Sequence, residues 1–490
     1  MNTPDPRTPV VVGSGQITRR EPDDREPTDV LGDAVALAAD DSGGRVLSTL
    51  EAIRVVSLLS WRYRDPARLV AARLGIEPAE TAYSTMGGNT PQMLINRTAV
   101  DIATGDLDAA VVGGVELWRT RMLLRRDDQR PAWTTQGEDV EPTRTFGADL
   151  DMSDPDSMAV GAVMPIQIYP MMEVALRHDQ GRSPDDHLAH ITQLWSRFST
   201  VASTNPHAWG QRAYSPEQLA TVSPENRMVG APYPKRLNSN NMVEQAAAVI
   251  IMSYEKATSV GVPADRMVFL HAGTDGADPL QVTRRERFDT STALRVAGRS
   301  ALDLAGIGPA DLRHIDLYSC FPSAVQIAAR ELGLAETRDL TVTGGLTFAG
   351  GPWNNYVTHA VATIVDRLRD EPGFGLVTAN GGYLTKHAFG VYSSEPPGRG
   401  FRHLAPQAEI DRQPTVEPAG DVEGPMTLEA YTVMHDRDST PENGIAIMRT
   451  ADGQRAWGTT TDAGDLRELL EADAVGRPVQ RSLGGRFNLV

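Results

Sequence analysis

One thiol, a short run of hydroxyl and amide side chains, and a lysine–histidine pair hold most of the chemistry this chain can offer. The thiol is Cys320, the single cysteine among 490 residues, in Tyr318-Ser319-Cys320-Phe321. Further along, Asn380-Gly381-Gly382-Tyr383 runs into Lys386-His387. A thiolate is a nucleophile, a phenol or imidazole exchanges protons, and amides can hold an oxyanion. Each has a plainer reading. Cys320 ends an apolar stretch and reads as a buried packing side chain. Nothing visible beside Lys386 would depress its pKa, so a Schiff-base role is not expected, and His387 serves equally well as a structural hydrogen-bonder. A lone cysteine makes no internal disulfide, which suits a reducing cytoplasm.

The elements that would position these groups alternate between apolar strands and amphipathic helices, the pattern of α/β layers. Pro9-Val10-Val11-Val12-Gly13-Ser14-Gly15 is a buried strand ending in a glycine turn. Its Gly-x-Gly lacks the third glycine of a dinucleotide fingerprint. An internal duplication follows. Gly87-Gly88-Asn89 opens a helix that leads to Val112-Gly113-Gly114, and Gly350-Gly351-Pro352 opens one that leads to Asn380-Gly381-Gly382. The second glycines of successive pairs lie 26 and 31 residues apart. Two similar halves facing each other are expected.

Between the halves, residues 121–240 change texture, with polar stretches, methionines and prolines. Within them Leu188, Ile191, Leu194 and Trp195 recur at helical spacing, a core stripe. Such an insertion reads as a lid or binding domain. After a Pro- and Gly-rich boundary at Pro396 to Gly420, Leu428–Val433, Gly444–Met448 and Arg455–Thr460 alternate like strands of a small β module, with a polar hairpin at Asp436–Asn443 and a short helix at Asp465–Leu470.

Composition narrows the function. Hydrophobic content of 40% and charged content of 23% describe an ordinary globular chain. A net charge of −17 argues against nucleic acid. It leaves room for an anionic ligand held by a few local arginines. Of 47 basic residues only Lys235, Lys256 and Lys386 are lysines. The N-terminus has no apolar signal core, and no run of the ~20 apolar residues needed to span a bilayer occurs.

Thr8-Pro9-Val10-Val11-Val12-Gly13-Ser14-Gly15-Gln16, the segment Asn96 to Glu116, and Leu317-Tyr318-Ser319-Cys320-Phe321 resemble the thiolase superfamily. The likeness is greatest to its sterol-carrier-protein-2-type branch and to thiolase-like protein type 1, and it spans about residues 8–395. Its most specific piece is Ile102-Ala103-Thr104-Gly105-Asp106-Leu107-Asp108 leading into Val111-Val112-Gly113-Gly114-Val115-Glu116. The resemblance implies a five-layered α/β/α/β/α fold. Residues 1–120 with 241–285 would form the first thiolase half, 121–240 a loop domain, and 286–412 the second half. Residues 420–490 would form an added β-barrel-like domain, similar to an oligonucleotide/oligosaccharide-binding fold.

The same resemblance locates what is missing. The family's nucleophilic cysteine falls on Gly88, its Gly-His-Pro histidine on Gly351, and its acid/base cysteine on Ala379. Ser84, Thr85 and Thr90 have hydroxyls near the first position but no visible base. Cys320 matches an unreactive family cysteine. Loss of a nucleophile together with its bases removes the covalent route of Claisen condensation or thiolysis. The replacement groups are Tyr318, Ser319, Asn380 and His387, and Arg227, Lys235 and Arg236 are candidates for the phosphates of coenzyme A. Three roles remain open. One is an acyl-CoA binder or carrier in lipid metabolism, under an acetyl-CoA acetyltransferase-like family label. Another is a retro-aldol lyase in which Tyr318 takes the β-hydroxyl proton. The third is a scaffold for a lipid-degrading complex. No metal or covalently bound cofactor is expected, and the chain could be a monomer or a dimer.

Overall fold

The computed structural model describes residues 4–21 and 24–490. One mixed sheet of 11 strands organises the body. Its order is Leu312–Asp316, Phe374–Gly381, Lys386–Ser393, Val268–Ala277, Pro9–Thr18, Glu244–Ser253, Ala109–Leu117, Ala52–Val55, Glu80–Ser84 and Arg144–Phe146, with Arg402–Leu404 added alongside Val268–Ala277. Among the described residues the two halves of this sheet pair at Val10↔Phe269 and Val11↔Val268.

The duplication is visible in the pairing. In the first half Ala52–Val55 runs parallel to Ala109–Leu117, which pairs antiparallel with Glu244–Ser253, itself antiparallel to Pro9–Thr18. In the second, Leu312–Asp316 runs parallel to Phe374–Gly381, followed by antiparallel Lys386–Ser393 and Val268–Ala277. Where the second half makes the short turn Gly382–Thr385, the first half carries all of residues 118–243. The insertion is an enlarged hairpin connection.

Helices Thr90–Thr104 and Tyr356–Asp370 fill the space between the half-sheets. Leu94, Ile95, Ala99 and Ile102 of one share a core with Val357, Ala360, Val361 and Ile364 of the other. Burial of each such Leu or Ile contributes ~1.5–3 kcal/mol. Pro91 in the first turn and Gly105, at φ 89°, after the last bound the first helix as local chemistry dictates. Helices Pro27–Asp41 and Pro66–Leu74 cover the outer face of the first half-sheet. Thr292–Ala305 and Pro322–Leu332 pack outside the second. The layers are therefore α/β/α/β/α.

Two boundaries differ from the sequence expectation. Val268–Ala277 pairs along its length with Lys386–Ser393. The second half thus begins between Ser253 and Val268 rather than at residue 286, because hydrogen bonding and not chain order assigns a strand. The Pro-rich stretch around 396–420 is also more than a linker, since Arg402–Leu404 joins the sheet and Gln407–Ile410 forms a helical turn.

In the insertion, Ile191, Leu194 and Trp195 of helix Pro184–Thr204 are buried, with Trp195 stacked on Phe198 at 5.0 Å. At the C-terminus, Arg455–Thr460, Pro441–Arg449, Gly424–His435, Pro478–Arg481 and Phe487–Leu489 form an antiparallel sheet in that order. A Thr459–Arg486 bridge brings its two ends together. This module is fastened to the body. Met228–Gly230 adds to it at Met434↔Gly230, and helix Pro165–Asp179 packs against it through Val174. Among the described residues no helix is long and apolar enough to cross a membrane.

Candidate active site

Both Gly-Gly turns and the Tyr318 segment converge on a cavity of about 650 Å³. The two halves supply its floor and the insertion its roof, which includes Asp149 to Met152, Met164 to Ile166 and Tyr169. Met86, Leu150 and Met164 are 58%, 42% and 46% exposed, so apolar side chains already face solvent at its rim.

The most telling atom is the Tyr318 hydroxyl. A Cβ at Gly88 would lie 2.2 Å from it and 2.5 Å from the Asn380 carbonyl oxygen. The phenol therefore fills the space that a side chain at position 88 would need. Its ring is fixed edge-to-face against Tyr356 at 5.6 Å, and its backbone N–H donates to Thr378 Oγ1 at 2.8 Å. Burial, reinforced by the neighbouring Cys320 sulfur, pushes the Tyr318 pKa well above the usual phenol value. The group is thus a proton donor at neutral pH, and among the described residues its hydroxyl has no hydrogen-bond partner.

Cys320 is buried within the hydrophobic core, as expected, and also borders the cavity. Its side chain lines the cavity, 8% exposed, two residues ahead of helix Pro322–Leu332. Tyr169 and Asn380 stand beside it, Asn380 Nδ2 at 3.8 Å from Sγ. Burial pushes the thiol up to about 12, with no cation near enough to reverse this, so it is protonated and unreactive at neutral pH. Its inertness rests on desolvation.

The pleat of the strands sorts the remaining candidates. Asn380 lines the cavity while Ala379 faces away, and Lys386 lines it while His387 does not. Asn380 Nδ2 donates to Tyr169 Oη at 2.8 Å, leaving Oδ1 buried and unpartnered. His387 is buried against Leu384 O, and burial lowers its pKa. Ser319 is fully buried and accepts from Leu346 N–H at 3.3 Å. Gly351 also stands back from the cavity; a Cβ there would meet Asn241 Oδ1, which does line it, at 2.9 Å.

Lys386 departs from its reading in sequence. Burial lowers its pKa, opposed by Asp149, and Nζ donates to Met86 O at 2.8 Å. Arg227, Lys235 and Arg236 do not line the cavity. Arg227 binds Met228 O and Asp436 O, and Arg236 lies over the Tyr214 ring at 4.9 Å. At the mouth stand Asp149 and Asp151 instead, with Lys386 as the cation. Tyr169 was not foreseen, because nothing in its local sequence, Gln167-Ile168-Tyr169-Pro170, points at Tyr318 and Asn380, which lie 149 and 211 residues further along the chain. Trp353 is held at φ 46°, a left-handed conformation uncommon for a large side chain, and lines the cavity next to Asn354.

With this geometry in view, likeness to known proteins is informative. Residues 406–482 match the family described as the thiolase-like protein type 1 additional C-terminal domain. The chain is 27% identical over 212 residues to an acetyl-CoA acetyltransferase of Syntrophomonas wolfei, a match spanning 42% of this chain and half the length of that relative. Among solved structures, a monomeric SCP2-thiolase-like protein type 1 from Mycobacterium smegmatis superposes with a TM-score of 0.85 at 32% identity, each chain covered in full. An aldolase described as Ltp2-ChsH2(DUF35) shares the fold at a TM-score of 0.58 and 17% identity, covering 79% of this chain and 98% of that one. The dimeric peroxisomal thiolase of Saccharomyces cerevisiae does so at 0.56 and 14%, covering 80% and 98%. A thiolase fold that carries this particular added domain and matches such a protein from end to end belongs to the SCP2-thiolase-like protein type 1 family.

Proposed function

We propose that the chain binds an acyl thioester of coenzyme A in this cavity and holds it without forming an acyl-enzyme. The observation that carries this is Tyr318, whose hydroxyl occupies the space that any side chain at Gly88 would need. A thioester carbonyl placed there accepts a hydrogen bond from the phenol. It also faces the N-terminal end of helix Thr90–Thr104, whose dipole favours developing negative charge. The cavity is apolar enough for an acyl chain, being walled by Met152, Ile166, Phe321 and Leu346. Asp149 and Asp151 at the mouth disfavour phosphates close by, so the nucleotide end of the ligand must lie beyond them. The monomeric relative from Mycobacterium smegmatis supports a monomer here too.

Calorimetric titration with acetyl-CoA and longer acyl-CoAs tests the reading, alongside intact-mass measurement after acid quench. Saturable binding with no mass increase is the expected pair of results. Absence of binding, or a covalent acyl adduct, overturns it.

A second reading draws on the same free hydroxyl. With a β-hydroxyacyl thioester bound, Tyr318 would take the β-hydroxyl proton and the Cα–Cβ bond would break, a retro-aldol cleavage. It ranks behind the first because burial keeps the phenol protonated. Product formation from such a thioester, abolished in Tyr318→Phe, would promote it; unchanged cleavage in that variant would remove Tyr318 from the chemistry.

A further inference from the structure

A second hollow, of about 430 Å³, lies across a thin wall from the main cavity. Residues 239–242 form that wall, and their side chains alternate. Ser239 and Asn241 line the main cavity, whereas Asn240 and Met242 line the hollow. The other walls are Arg20, Arg119, Leu123 and Trp209.

Its two arginines are positioned before any ligand arrives. Arg20 donates from Nε to Trp209 O at 3.2 Å and from Nη2 to Ala208 O at 2.5 Å. Arg119 donates from Nη1 to Arg20 O at 2.6 Å, and its guanidinium lies 5.8 Å from the centroid of the Trp209 ring. Both are held by backbone carbonyls and an indole face, not by carboxylates. Among the described residues neither forms an ion pair, and Arg20 Nη1 and Arg119 Nε and Nη2 donate to nothing. The nearby Glu244 carboxylate is turned to Thr120, accepting from its N–H at 2.8 Å and from its hydroxyl.

On a chain of net charge −17, two adjoining guanidiniums without a carboxylate partner make this spot locally positive. Each repels the other, and an anion between them relieves that repulsion. Their planar forks fit phosphate oxygens, and fixed rotamers reduce the ordering cost of binding. Trp209 supplies a partly open aromatic face beside them. The volume falls within the ~300–1,000 Å³ usual for small-molecule sites.

We propose that this hollow binds a phosphate ester of a planar heteroaromatic, the chemistry of a nucleotide, with phosphate on Arg20 and Arg119 and the ring against Trp209. The site uses none of the main cavity's residues; with coenzyme A as the source the inference rests on the acyl-thioester reading, and with a free nucleotide it does not. A free nucleotide and the nucleotide portion of coenzyme A carry the same chemistry, and the two are separable by experiment.

The full chain and its Arg119→Gln and Arg20→Gln variants, each checked for an unchanged far-UV spectrum, are titrated calorimetrically. The probes are ADP, pyrophosphate, coenzyme A and S-acetyl-pantetheine, which lacks the nucleotide. ADP is expected to bind saturably, and each variant to weaken it about tenfold or more, as loss of a charge-assisted bond implies. Binding of S-acetyl-pantetheine is expected to be the same in all three proteins, whatever its strength. ADP that binds only when coenzyme A is absent identifies the coenzyme as the source; ADP that binds beside it identifies a free nucleotide. No ADP binding, or full-strength binding in both variants, overturns the proposal. Pyrophosphate binding as tightly as ADP overturns the role of Trp209 and the ring.

Discussion

Gly88→Ala puts the central observation under direct strain. The added methyl would stand 2.2 Å from Tyr318 Oη, 2.9 Å from Tyr318 Cζ and 2.5 Å from the Asn380 carbonyl oxygen. All three are closer than carbon tolerates. The ring cannot slide away cheaply, being braced by Tyr356 and tied through its backbone to Thr378. Asn380 belongs to a paired strand, facing His387 across the ladder. Overpacking of this kind costs ~1–3 kcal/mol. Removing the phenol in Tyr318→Ala clears two of the three collisions and leaves the carbonyl. In that background the same glycine substitution should therefore cost ~1 kcal/mol or less, a coupling of ~1–2 kcal/mol in a double-mutant cycle. Urea unfolding followed by far-UV circular dichroism reads the midpoints of the four proteins. If Gly88→Ala is as stable as the parent, or its penalty survives undiminished without the phenol, Tyr318 does not fill the vacated position and the reasoning fails.

Other outcomes follow from neighbouring groups. His359 is buried with its pKa lowered from 6.5 to about 3 by desolvation, so the folded chain prefers it neutral while the unfolded chain protonates it. Stability should be full above about pH 6.5 and fall as pH drops toward 3, by at most roughly 5 kcal/mol at 1.4 kcal/mol per pH unit. His359→Gln should flatten that acid limb in pH-dependent melting, and an unaltered limb would count against it. Cys320, held up at about 12, should resist iodoacetamide in the native chain at pH 7.5 and react on unfolding, as mass spectrometry would show. Rapid native labelling would mean that the thiol is activated after all. Arg455 is buried, paired with Glu429, and donates to Thr283 O at 3.0 Å and Glu286 O at 2.9 Å, joining the added sheet to the body. Arg455→Ala should cost ~3–5 kcal/mol and favour release of the C-terminal sheet in limited proteolysis. A proteolytic pattern identical to the parent's would show that the sheet is held by other contacts.

What the sequence by itself determined were matters of residue identity and local periodicity. Glycine at 88 and 351 and alanine at 379 cannot be nucleophiles or bases in any fold, so the lack of a reactive side chain at those three positions was legible without coordinates. The paired glycine turns marked two related halves, and alternation after residue 420 marked the added strands. Direction and distance were not legible. Whether Ala379 or Asn380, and Lys386 or His387, faces the cavity depends on the phase of the pleat, which a shift of one residue reverses. That Val268–Ala277 belongs to the second half depends on ladder hydrogen bonds with a strand over a hundred residues away. Tyr169 joined Asn380 and Cys320, and Arg227, Lys235 and Arg236 stayed apart from them, because a long insertion folds back through core burial and not through any local signal. Most of all, only packing in three dimensions could bring a phenol from position 318 into the space above Gly88.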